Sequence, residues 1–598
     1  MTLPGLICVW PYILGALAGM LLLSGLDDFV PLAICFWGRR RTRGAVGAQR
    51  EQPGRKIAIF TPCWREAAVI EEMICDNIAA IRYRNYDFFL GVYPNDEPTI
   101  GAARRLAAKF GNVHVAVCAR PGPTSKADCL NEIYRGLERF EQERGVRFDT
   151  VVLHDAEDVI HPEELSAIDR ERSRYDMVQT PVLPLATPAR DITHGVYCDE
   201  FSEYQTIDMR ARQFSGSFVP SNGVGTGFAR EILDRLAAAR GCVFDSASLT
   251  EDYEIGVYAH QAGFSQLFIP LKRGKDGFLA TREYFPRTSR SAVRQRTRWA
   301  TGIALQCWER TGWRGSWRTR YWFWRDRKVL AANPLSFATN LLFTAGVADW
   351  IESAAAHRPW AFAVSNPNLV ALCWLTLVLQ CFRLGLRMIC VAHVYGTGFA
   401  LGVPLRSFHA NFINCLASFS AVLRYANARL HKRPHVWLKT EHAYPDRALA
   451  PERRDIGDVL VARGCVSEED LARARKELPE GIGVAELLLM RGLVSDEDLC
   501  TAISVQSGLP NGHIDPQRVD KRIMRSLPRH VERRFGVLPF AVKEGRLRVT
   551  GPEAPPSALF DELKSFTRLP VDFQLVTRRN YEELRKLLDG ITGSKSPD

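Results

Sequence analysis

Residues 150–158 read Thr150-Val151-Val152-Leu153-His154-Asp155-Ala156-Glu157-Asp158. A short apolar run that changes abruptly into acids predicts a buried strand with polar residues at its carboxyl end. Three similar apolar runs lie upstream. We therefore expect four short strands, at Ile57–Phe60, Phe88–Tyr93, His114–Cys118 and Thr150–His154.

Helical periodicity fills the segments between these runs, for example at Ala67–Arg82 and Thr99–Phe110. Strands that alternate with helices are typical of an α/β domain with a largely parallel sheet. Ligands of such sheets bind outside the carboxyl ends of the strands. Polar clusters follow the strands that end at Phe60, Tyr93 and His154, and we expect the chemistry there.

The three acids of the quoted stretch are costly at the end of a buried strand unless a positive group lies among them. A divalent ion that bridges a diphosphate fits this need, because Mg²⁺ usually takes one or two carboxylates together with substrate phosphates. The alternative is purely structural. Asp158 and Glu163 are also placed to favour the start of the following helix through its dipole.

Two further clusters add to the acids. Thr250-Glu251-Asp252 opens a helical pattern, and an acid there would supply a general base beside a metal. The stretch 294–299 brings together an amide, cations and a large flat ring in Gln295, Arg298 and Trp299. Trp rings stack on sugar faces and Arg neutralises phosphate. Alone, this last cluster also fits an ordinary basic helix with a buried Trp.

In this order and at these separations the clusters resemble glycosyltransferase family 2, in the pattern of processive polysaccharide synthases: a D-x-D-like motif, then T-E-D, then Q-x-x-R-W. The metal motif departs from a strict D-x-D, so that either Glu157 or Asp158 is the second acid. Other segments resemble the family too. They are Thr61 to Glu66, Tyr93 to Asp96, Gly122 to Asn131 and Ser221 to Gly227.

The resemblance implies a GT-A-type, Rossmann-like catalytic domain that uses a nucleotide-sugar donor, expected to be a UDP-sugar, and a glycan acceptor. It implies Asp252 as the base, beside Glu251, with Gln295, Arg298 and Trp299 as further catalytic residues. Mg²⁺ or Mn²⁺ would bind Asp155 with Glu157 or Asp158. The implied donor-binding residues are Pro62, Glu66, Asn95, Asp96, Lys126 and Asp155.

Composition points to a membrane enzyme. The 598-residue chain has a net charge of +11, and its basic residues lie beside hydrophobic runs, as in Arg39 to Arg43 and Arg318 to Lys328. This pattern favours a cytoplasmic leaflet over a nucleic acid as the partner. The 15 cysteines form no CxxC pair, which argues against zinc ribbons and is consistent with a reducing compartment.

Gly5–Ser24 is an uncharged run long enough to cross a bilayer. Basic residues follow it, and the positive-inside rule predicts that Arg39 lies on the cytoplasmic side of the membrane. A signal peptide would require an early cation, which is absent. Phe29–Trp37 is too short to span and is expected at the interface. Apolar segments return at Leu335–Trp350, Leu369–Phe382 and Thr397–Val422, so we expect two to four membrane helices in all.

The part after residue 451 contains an internal repeat, in which Gly464-Cys465-Val466 corresponds to Gly492-Leu493-Val494. Each unit predicts two short helices broken at a glycine. The chain as a whole resembles the NfrB-like inner-membrane proteins involved in phage adsorption, in the stretches Ser24 to Asp28, Asp155 to Pro162, Thr281 to Pro286 and Trp437 to His442. Its end resembles the MshEN module of type II secretion ATPases, although a G-x-x-x-x-G-K-[ST] phosphate loop is absent from the sequence.

The MshEN resemblance implies cyclic di-GMP as an effector. The candidate contacts are Arg453, Arg454, Gly457, Gly464, Gly492 and Gln506. Two positions depart from the motif of that family, which places Arg two residues before Gly in each unit: Asp455 and Gly483 stand there instead. A docking domain for a protein partner that keeps the fold without the nucleotide is the alternative.

The predicted organisation has five parts. Residues 1–54 form a transmembrane segment and basic linker, 55–328 the GT-A domain, 329–425 transmembrane and interfacial helices, 426–451 a basic connector and 452–598 a small α+β regulatory domain. The expected location is the inner membrane, multi-pass, with both soluble parts cytoplasmic. The expected partners include membrane lipid and an outer-membrane export protein, but no nucleic acid.

Two other functions remain open on the sequence. One is the non-processive addition of a single sugar to a lipid carrier, against which the Q-x-x-R-W cluster argues mildly. The other is a catalytically silent receptor scaffold in an envelope complex, against which the intact acid clusters argue.

Overall fold

The computed structural model describes residues 3–42, 54–274, 277–360, 362, 364, 366–431, 455–462, 465–479, 482–507, 509–543 and 545–593. The chain divides into two compact units, one formed by Met1–Met73 and Asn85–Ala450, the other by Ile74–Arg84 and Pro451–Asp598. The predicted strands and helices up to Leu153 are present with end shifts of one to three residues.

The strands of the catalytic part are β1 Ile57–Pro62, β2 Tyr86–Val92, β3 Val113–Val117, β4 Thr150–Leu153, β5 Met177–Gln179, β6 Val182–Pro184, β7 Thr226–Ala229, β8 Gln266–Phe268, β9 Arg273–Gly274, β10 Gly277–Phe278 and β11 Thr281–Glu283. Its helices are α3 Ile70–Ala80, α4 Glu97–Lys109, α5 Lys126–Arg144, α6 Glu164–Arg172, α7 Ile192–Glu203, α8 Met209–Ser215, α9 Arg230–Arg240, α10 Glu251–Gln261, α11 Ser289–Trp299 and α12 Cys307–Thr311.

Seven strands form the central sheet in the order β3-β2-β1-β4-β7-β5-β8. The pairs β1–β2, β2–β3, β1–β4 and β5–β8 are parallel, whereas β7 runs antiparallel to both of its neighbours. The chain enters β7 through a turn in which Gly223 and Gly225 have φ of 82° and 60°. This left-handed turn reverses the chain at the edge where the predicted site lies. The predicted α/β fold with a largely parallel sheet is confirmed.

Long helices flank this part of the chain. They are α1 Leu3–Asp27 and α2 Phe29–Thr42 before it, and α13 Trp317–Ala355, α14 Pro367–Tyr395, α15 Thr397–Ala400 and α16 Val403–Leu430 after it. Two segments, Pro11–Gly38 and Pro367–Tyr395, are long and apolar enough to cross a membrane, with 11% and 6% of their most apolar windows buried. They contain most of the predicted Gly5–Ser24 run and the whole Leu369–Phe382 run.

One helix of the catalytic part is joined to the flanking helices by ion pairs. Asp199 on α7 accepts two hydrogen bonds of 2.8 Å from Arg406 on α16, and both side chains are 4% exposed. Gly195 and Gly402 leave room for this arginine, because an added Cβ at either would lie within 2.6 Å of it. Glu203 on the same helix is paired with Arg387 on α14, and Glu200 is paired with Arg296 on α11 of the catalytic part.

The second unit begins with the predicted repeat, which the structure shows as two helix pairs, α17 Ile456–Ala462 with α18 Glu468–Lys476 and α19 Val484–Met490 with α20 Asp496–Ser507. Each second helix follows a serine that accepts from the backbone of an aspartate three residues on, Ser467 with Asp470 and Ser495 with Asp498. A sheet β12-β13-β14 with four more helices follows. These are β12 Leu538–Lys543, β13 Arg546–Gly551, β14 Val571–Leu575, α21 Lys521–Met524, α22 Arg529–Phe535, α23 Ser557–Leu563 and α24 Arg578–Gly593.

Candidate active site

The acids after β4 divide into two groups with different surroundings. Asp158 Oδ2 lies 2.8 Å from His154 Nδ1 and accepts the backbone N–H of Asp155 at 3.0 Å. The other ring nitrogen of His154 lies 3.1 Å from Glu164, and all three side chains are fully buried. Burial lowers the pKa of His154, but the two carboxylates outweigh it and raise that pKa to about 9. Asp158 therefore belongs to a buried ion cluster.

Asp155 points the other way, toward a cation. Its Oδ1 lies 2.5 Å from Nζ of Lys126, the first residue of α5. Ser125 begins this helix by accepting the backbone N–H of Asp128, which fixes where Lys126 starts. Burial lowers the pKa of Lys126, but the charges of Asp155, Glu251 and Asp252 outweigh it and raise that pKa. The lysine thus lies among acids from two separate segments.

The second segment is the N-terminus of α10. Burial raises the pKa of both Glu251 and Asp252, and the charge of Asp252 raises the pKa of Glu251 further. Lys126 and Arg298 lower both values without cancelling the increase. Glu251 is buried and Asp252 is partly exposed, and two adjacent carboxylates with raised pKa values are typical of acid–base sites.

Gly223 shapes the surface against which Asp252 lies. This glycine has φ of 82°, and a Cβ added to it would lie 2.6 Å from Oδ2 of Asp252. Both the backbone angle and the space exclude a larger residue at this position. The glycine loop 221–227 and the predicted base are therefore in direct contact, which the sequence order alone did not show.

A π-helical segment, Ala300–Gln306, continues α11 and holds the loop before the acid pair. Gln306 Oε1 accepts the backbone N–H of Leu249 at 3.0 Å, and Arg298 donates to the Leu249 carbonyl at 3.2 Å. A Cβ on Gly302 would lie 2.3 Å from the hydroxyl oxygen of Thr250, so the helix packs directly on that residue. Gln306 is not among the site residues predicted from the sequence, although it lies seven residues after Trp299 on the same continuous helix.

Trp299 and Gln295 lie on the same helix but in different surroundings. The Trp299 ring packs against Tyr197, Phe201 and Phe285 with centroid distances of 6.1 to 6.5 Å, and it is partly exposed. Gln295 Oε1 is buried and has no hydrogen-bond partner among the described residues. Arg296, between the two, forms the ion pair with Glu200. The predicted roles of Trp299 and Gln295 stay predictions.

The predicted donor side lies at the ends of β1 and β2. Pro62 is the last residue of β1. Asp96 accepts the backbone N–H of Arg65 at 2.6 Å, and Arg65 has φ of 56°, unusual for a residue with a side chain. The backbone N–H of Glu66 donates to the hydroxyl of Thr99, and the Glu66 side chain is buried. Asp96 thus holds the strained turn that follows β1.

A second pair of contacts joins this turn to the loop that carries Lys126. The Asn95 side chain both donates to the carbonyl of Gly122 and accepts its N–H, each at 2.7 Å. Trp64 packs over Gly122, where a Cβ would lie 2.5 Å from the ring. Asn95, Asp96 and Lys126 are therefore brought to one edge of the sheet, together with Asp155. Asn131, by contrast, bonds only the backbone of residues 243 and 244.

Asp155 and Glu157 are the candidate ligands for a metal ion at this site. Among the described residues, a cluster of three or more His, Cys, Asp or Glu side chains arranged to hold a metal is absent. Asp155 is part-exposed and Glu157 buried, while Asp158 is held by His154. Two carboxylates with a substrate diphosphate match the usual Mg²⁺ environment. Asp155 at the strand end fits such an ion, Asp158 is held by His154 instead, and Glu157 stays a predicted second ligand.

The predicted cyclic di-GMP positions are only partly described, since Arg453, Arg454 and Gly464 lie outside the described residues. Asp455, in the place of the first family arginine, is paired with Arg475 at 2.8 Å. Arg491 is paired with Glu477. Gly457 lies on α17, Gln506 lies on α20, and Gly492 has φ of 67° between the second pair of helices.

Comparisons with known proteins match the catalytic part and the C-terminal part of the chain to different families. A family model described as "Glycosyltransferase like family 2" matches residues 53–302, and one described as "MshEN domain" matches residues 507–594. The chain is 34% identical over 569 residues to bacteriophage adsorption protein B of Escherichia coli strain K12. That match covers 89% of this chain and 75% of the relative.

Solved structures also resemble parts of the chain. A mannosyltransferase of Pyrobaculum calidifontis, solved with GDP-Man and Mn²⁺, is 18% identical with a TM-score of 0.43, covering 69% of this chain and 99% of its own. The structure of MshE with cdg is 26% identical with a TM-score of 0.20, covering 24% of this chain and 100% of its own.

Proposed function

The chain belongs to the bacteriophage adsorption protein B family and is a glycosyltransferase with an MshEN domain, and we propose that it builds an envelope or exported polysaccharide from a nucleotide-sugar donor. The transfer inverts the configuration of the donor sugar. The observation that supports this most is the pair of adjacent acids with raised pKa values, Glu251 and Asp252, beside the cations Lys126 and Arg298.

In the proposed mechanism Asp252 takes the proton from the acceptor hydroxyl. The acceptor oxygen then forms a bond to the anomeric carbon while the bond from that carbon to the diphosphate oxygen breaks. The electron pair of the broken bond stays on the nucleoside diphosphate. Lys126 and Arg298 stabilise the negative charge that develops there, which is the usual role of preorganised cations in such sites. Asp96 and Glu66 position the nucleoside, and Trp299 supports the acceptor sugar with Gln295.

Mg²⁺ or Mn²⁺ would be held by Asp155 and Glu157, and when bound it would neutralise charge on the donor diphosphate. Lys126 already compensates Asp155 at 2.5 Å in this structure. Its ammonium group can turn to the diphosphate when a second cation shares the carboxylate. Asp158 and His154 hold the turn in which both proposed ligands lie.

The two candidate membrane segments and the family relation support a membrane protein. We propose that it is a multi-pass protein of the inner membrane, with its catalytic and MshEN parts in the cytoplasm and an export partner in the outer membrane. Cyclic di-GMP is the proposed effector of the MshEN part. The cations of Arg475 and Arg491 are both already paired with acids, so we expect weak binding.

A donor screen tests the proposed transfer. Purified full-length protein is given UDP- and GDP-sugars with Mn²⁺ and an oligosaccharide acceptor, and the products are separated by length. We expect a ladder with one donor class, sensitivity to a chelator, and at least about 100-fold slower turnover for Asp252→Asn. A single added sugar on a lipid carrier would replace the polysaccharide assignment. Donor turnover that survives both Asp252→Asn and chelation would overturn the mechanism.

A further inference from the structure

The turn between α12 and α13 carries aromatic and basic side chains into solvent. All six residues from Trp313 to Arg318 are exposed, in the order Trp-Arg-Gly-Ser-Trp-Arg, and Trp317 is 75% exposed. Three more exposed side chains of the same kinds lie just before and after it. The "Trp–Arg surface" is defined here as Trp308, Trp313, Arg314, Trp317, Arg318, Arg320 and Trp324.

This surface is built on a rigid base. Arg327 is buried, and its guanidinium lies 5.2 Å from the Trp308 ring and 4.4 Å from the Trp313 ring. It also donates to the carbonyl of Gly312 at 2.8 Å, which fixes the turn itself. The two rings lie 5.7 Å apart. Because the aromatic side chains are held before any partner arrives, their ordering costs little on binding.

The charge of the surface is not neutralised locally. The sequence from Arg310 to Arg325 contains no acid. The acids at its two ends are engaged elsewhere, Glu309 with Tyr425 and Asp326 with Tyr253. Among the described residues, none of three guanidinium groups of the surface is paired with a carboxylate: Arg314, Arg318 and Arg320.

The surface adjoins the candidate membrane segments. Tyr321, one turn into α13, donates to Asp27 at the end of α1, and its ring lies 6.2 Å from Trp324. Further along, α13 exposes a series of apolar side chains between Leu341 and Ile351. The same helix thus runs from exposed Trp and Arg to exposed Leu, Phe and Ile, as expected where a helix passes from headgroups to hydrocarbon.

We propose that the Trp–Arg surface lies in the headgroup layer of an anionic bilayer leaflet, with its arginines on lipid phosphates and its tryptophans at the level of the glycerol backbone. Guanidinium groups match phosphate geometry, and indole rings favour the boundary between water and hydrocarbon. An acidic protein would satisfy the arginines alone, but it would leave four exposed indoles without an apolar partner. This proposal does not depend on the sugar-transfer reaction.

Cross-linking to a photoactivatable lipid tests the surface. The full-length protein is placed in nanodiscs of phosphatidylcholine alone or mixed with phosphatidylglycerol, with a trace of phosphatidylglycerol that carries a headgroup diazirine. Cross-linked peptides are then mapped. The test variant is Arg314→Gln/Arg318→Gln/Arg320→Gln. The matched control, Arg104→Gln/Arg139→Gln/Arg174→Gln, removes the same charge from exposed positions elsewhere.

We expect cross-links on the peptides of residues 308–324. The test variant should lower their yield at least about tenfold, because each arginine near an anionic surface contributes about fivefold. The control should match the native protein, and size-exclusion chromatography should show all three as monodisperse. A second variant, Trp313→Ser/Trp317→Ser, should lower the yield while leaving the charge intact. Equal yields from native and test proteins, or cross-links confined to other peptides, would overturn the proposal.

Discussion

The charge state of one carboxylate determines whether the proposed base can work. Glu251 and Asp252 are adjacent and interact with the same two cations, so their protons are taken up as a pair. A base acts only in its ionised form. Because burial raises both pKa values, the fall of activity on the acid side should occur above the usual carboxylate range.

Glu251→Gln should leave the acid limb of kcat/KM near its native position, because burial and the charge of Asp155 raise the pKa of Asp252, whereas the charge of Asp252 raises the pKa of Glu251. The measurement is kcat/KM against pH at saturating metal. Glu254→Gln is the control, since Glu254 lies on the same helix but is paired with Arg310. Loss of the acid limb in Glu251→Gln, or its shift to lower pH, would contradict the assignment of Asp252 as the group that titrates there.

Gly223→Ala tests the contact between the glycine loop and the base. The new Cβ would lie 2.6 Å from Oδ2 of Asp252, so the carboxylate must move, and we expect turnover to fall at least about tenfold because the base leaves its position. Gly241→Ala is the matched control, with φ of 73° and open space around the added atom. Both variants carry a backbone cost of about 1–2 kcal/mol.

The readouts for these two glycine variants are thermal unfolding and turnover, measured on the same preparations. Similar losses of stability with a selective loss of turnover in Gly223→Ala would support the contact. Equal turnover in the two variants would mean that the loop and the base are not functionally linked.

Among the elements, the π-helical segment after α11 connects the acid pair to the long helices. Gln306, at the C-terminal end of this segment, accepts the backbone N–H of Leu249. Thr297, on α11 just before the segment, has its hydroxyl oxygen 3.5 Å from the carbonyl of Ala417 on α16. π-Helical turns inside longer helices are often found at functional sites. The position of the base therefore depends on a helix that itself packs on the flanking helices.

Gln306→Ala should lower turnover about tenfold and stability by about 1–3 kcal/mol, because it leaves the buried N–H of Leu249 without an acceptor. Thr301→Val is the control, since its hydroxyl bonds only Thr297 within the same helix. We expect a comparable loss of stability there with turnover retained. Turnover that falls equally in both variants would reduce the role of Gln306 to general helix stability.

The sequence predicted the elements of this site better than their contacts. The apolar pattern located β1 to β4 because each is a short, mostly apolar run, and the acids were found because they follow such a run. The division between Asp155 and Asp158 was not predictable, since it depends on Glu164, ten residues away from His154 in the sequence. Gln306 was missed for a related reason, because a π-helical turn leaves no mark in the apolar pattern.

For the whole molecule, the basic residues on both sides of the catalytic part predict its topology. Reporter fusions after Gly54 and at the C-terminus should both score as cytoplasmic, because lysines and arginines near membrane helices are retained on that side. A pair of reporters that are active on opposite sides of the membrane gives the measurement its internal control. A periplasmic score for either fusion would contradict the proposed arrangement and the location of the donor site.

Regulation by a nucleotide depends on cations that this chain lacks at the two family positions. In Asp455→Arg/Gly483→Arg both positions regain an arginine. The first change removes one of the two acid partners of Arg475, and Asp458 remains as the other. The second introduces a side chain where no atom lies within 4 Å of an added Cβ. We expect this variant of the full-length protein to bind cyclic di-GMP at least about tenfold more tightly than the native chain, since each cation adds a charge-assisted contact to phosphate.

Calorimetry of the full-length native and variant proteins measures this difference. Asp458→Arg is the control, because it also breaks a contact of Arg475 but lies outside the family position. A ligand can change sugar transfer only if it binds two states of the protein unequally, so turnover with and without cyclic di-GMP completes the test. Tight binding by the native chain, unchanged by the two substitutions, would show that other residues hold the phosphates. Absence of binding in both proteins would favour a docking role for the MshEN domain.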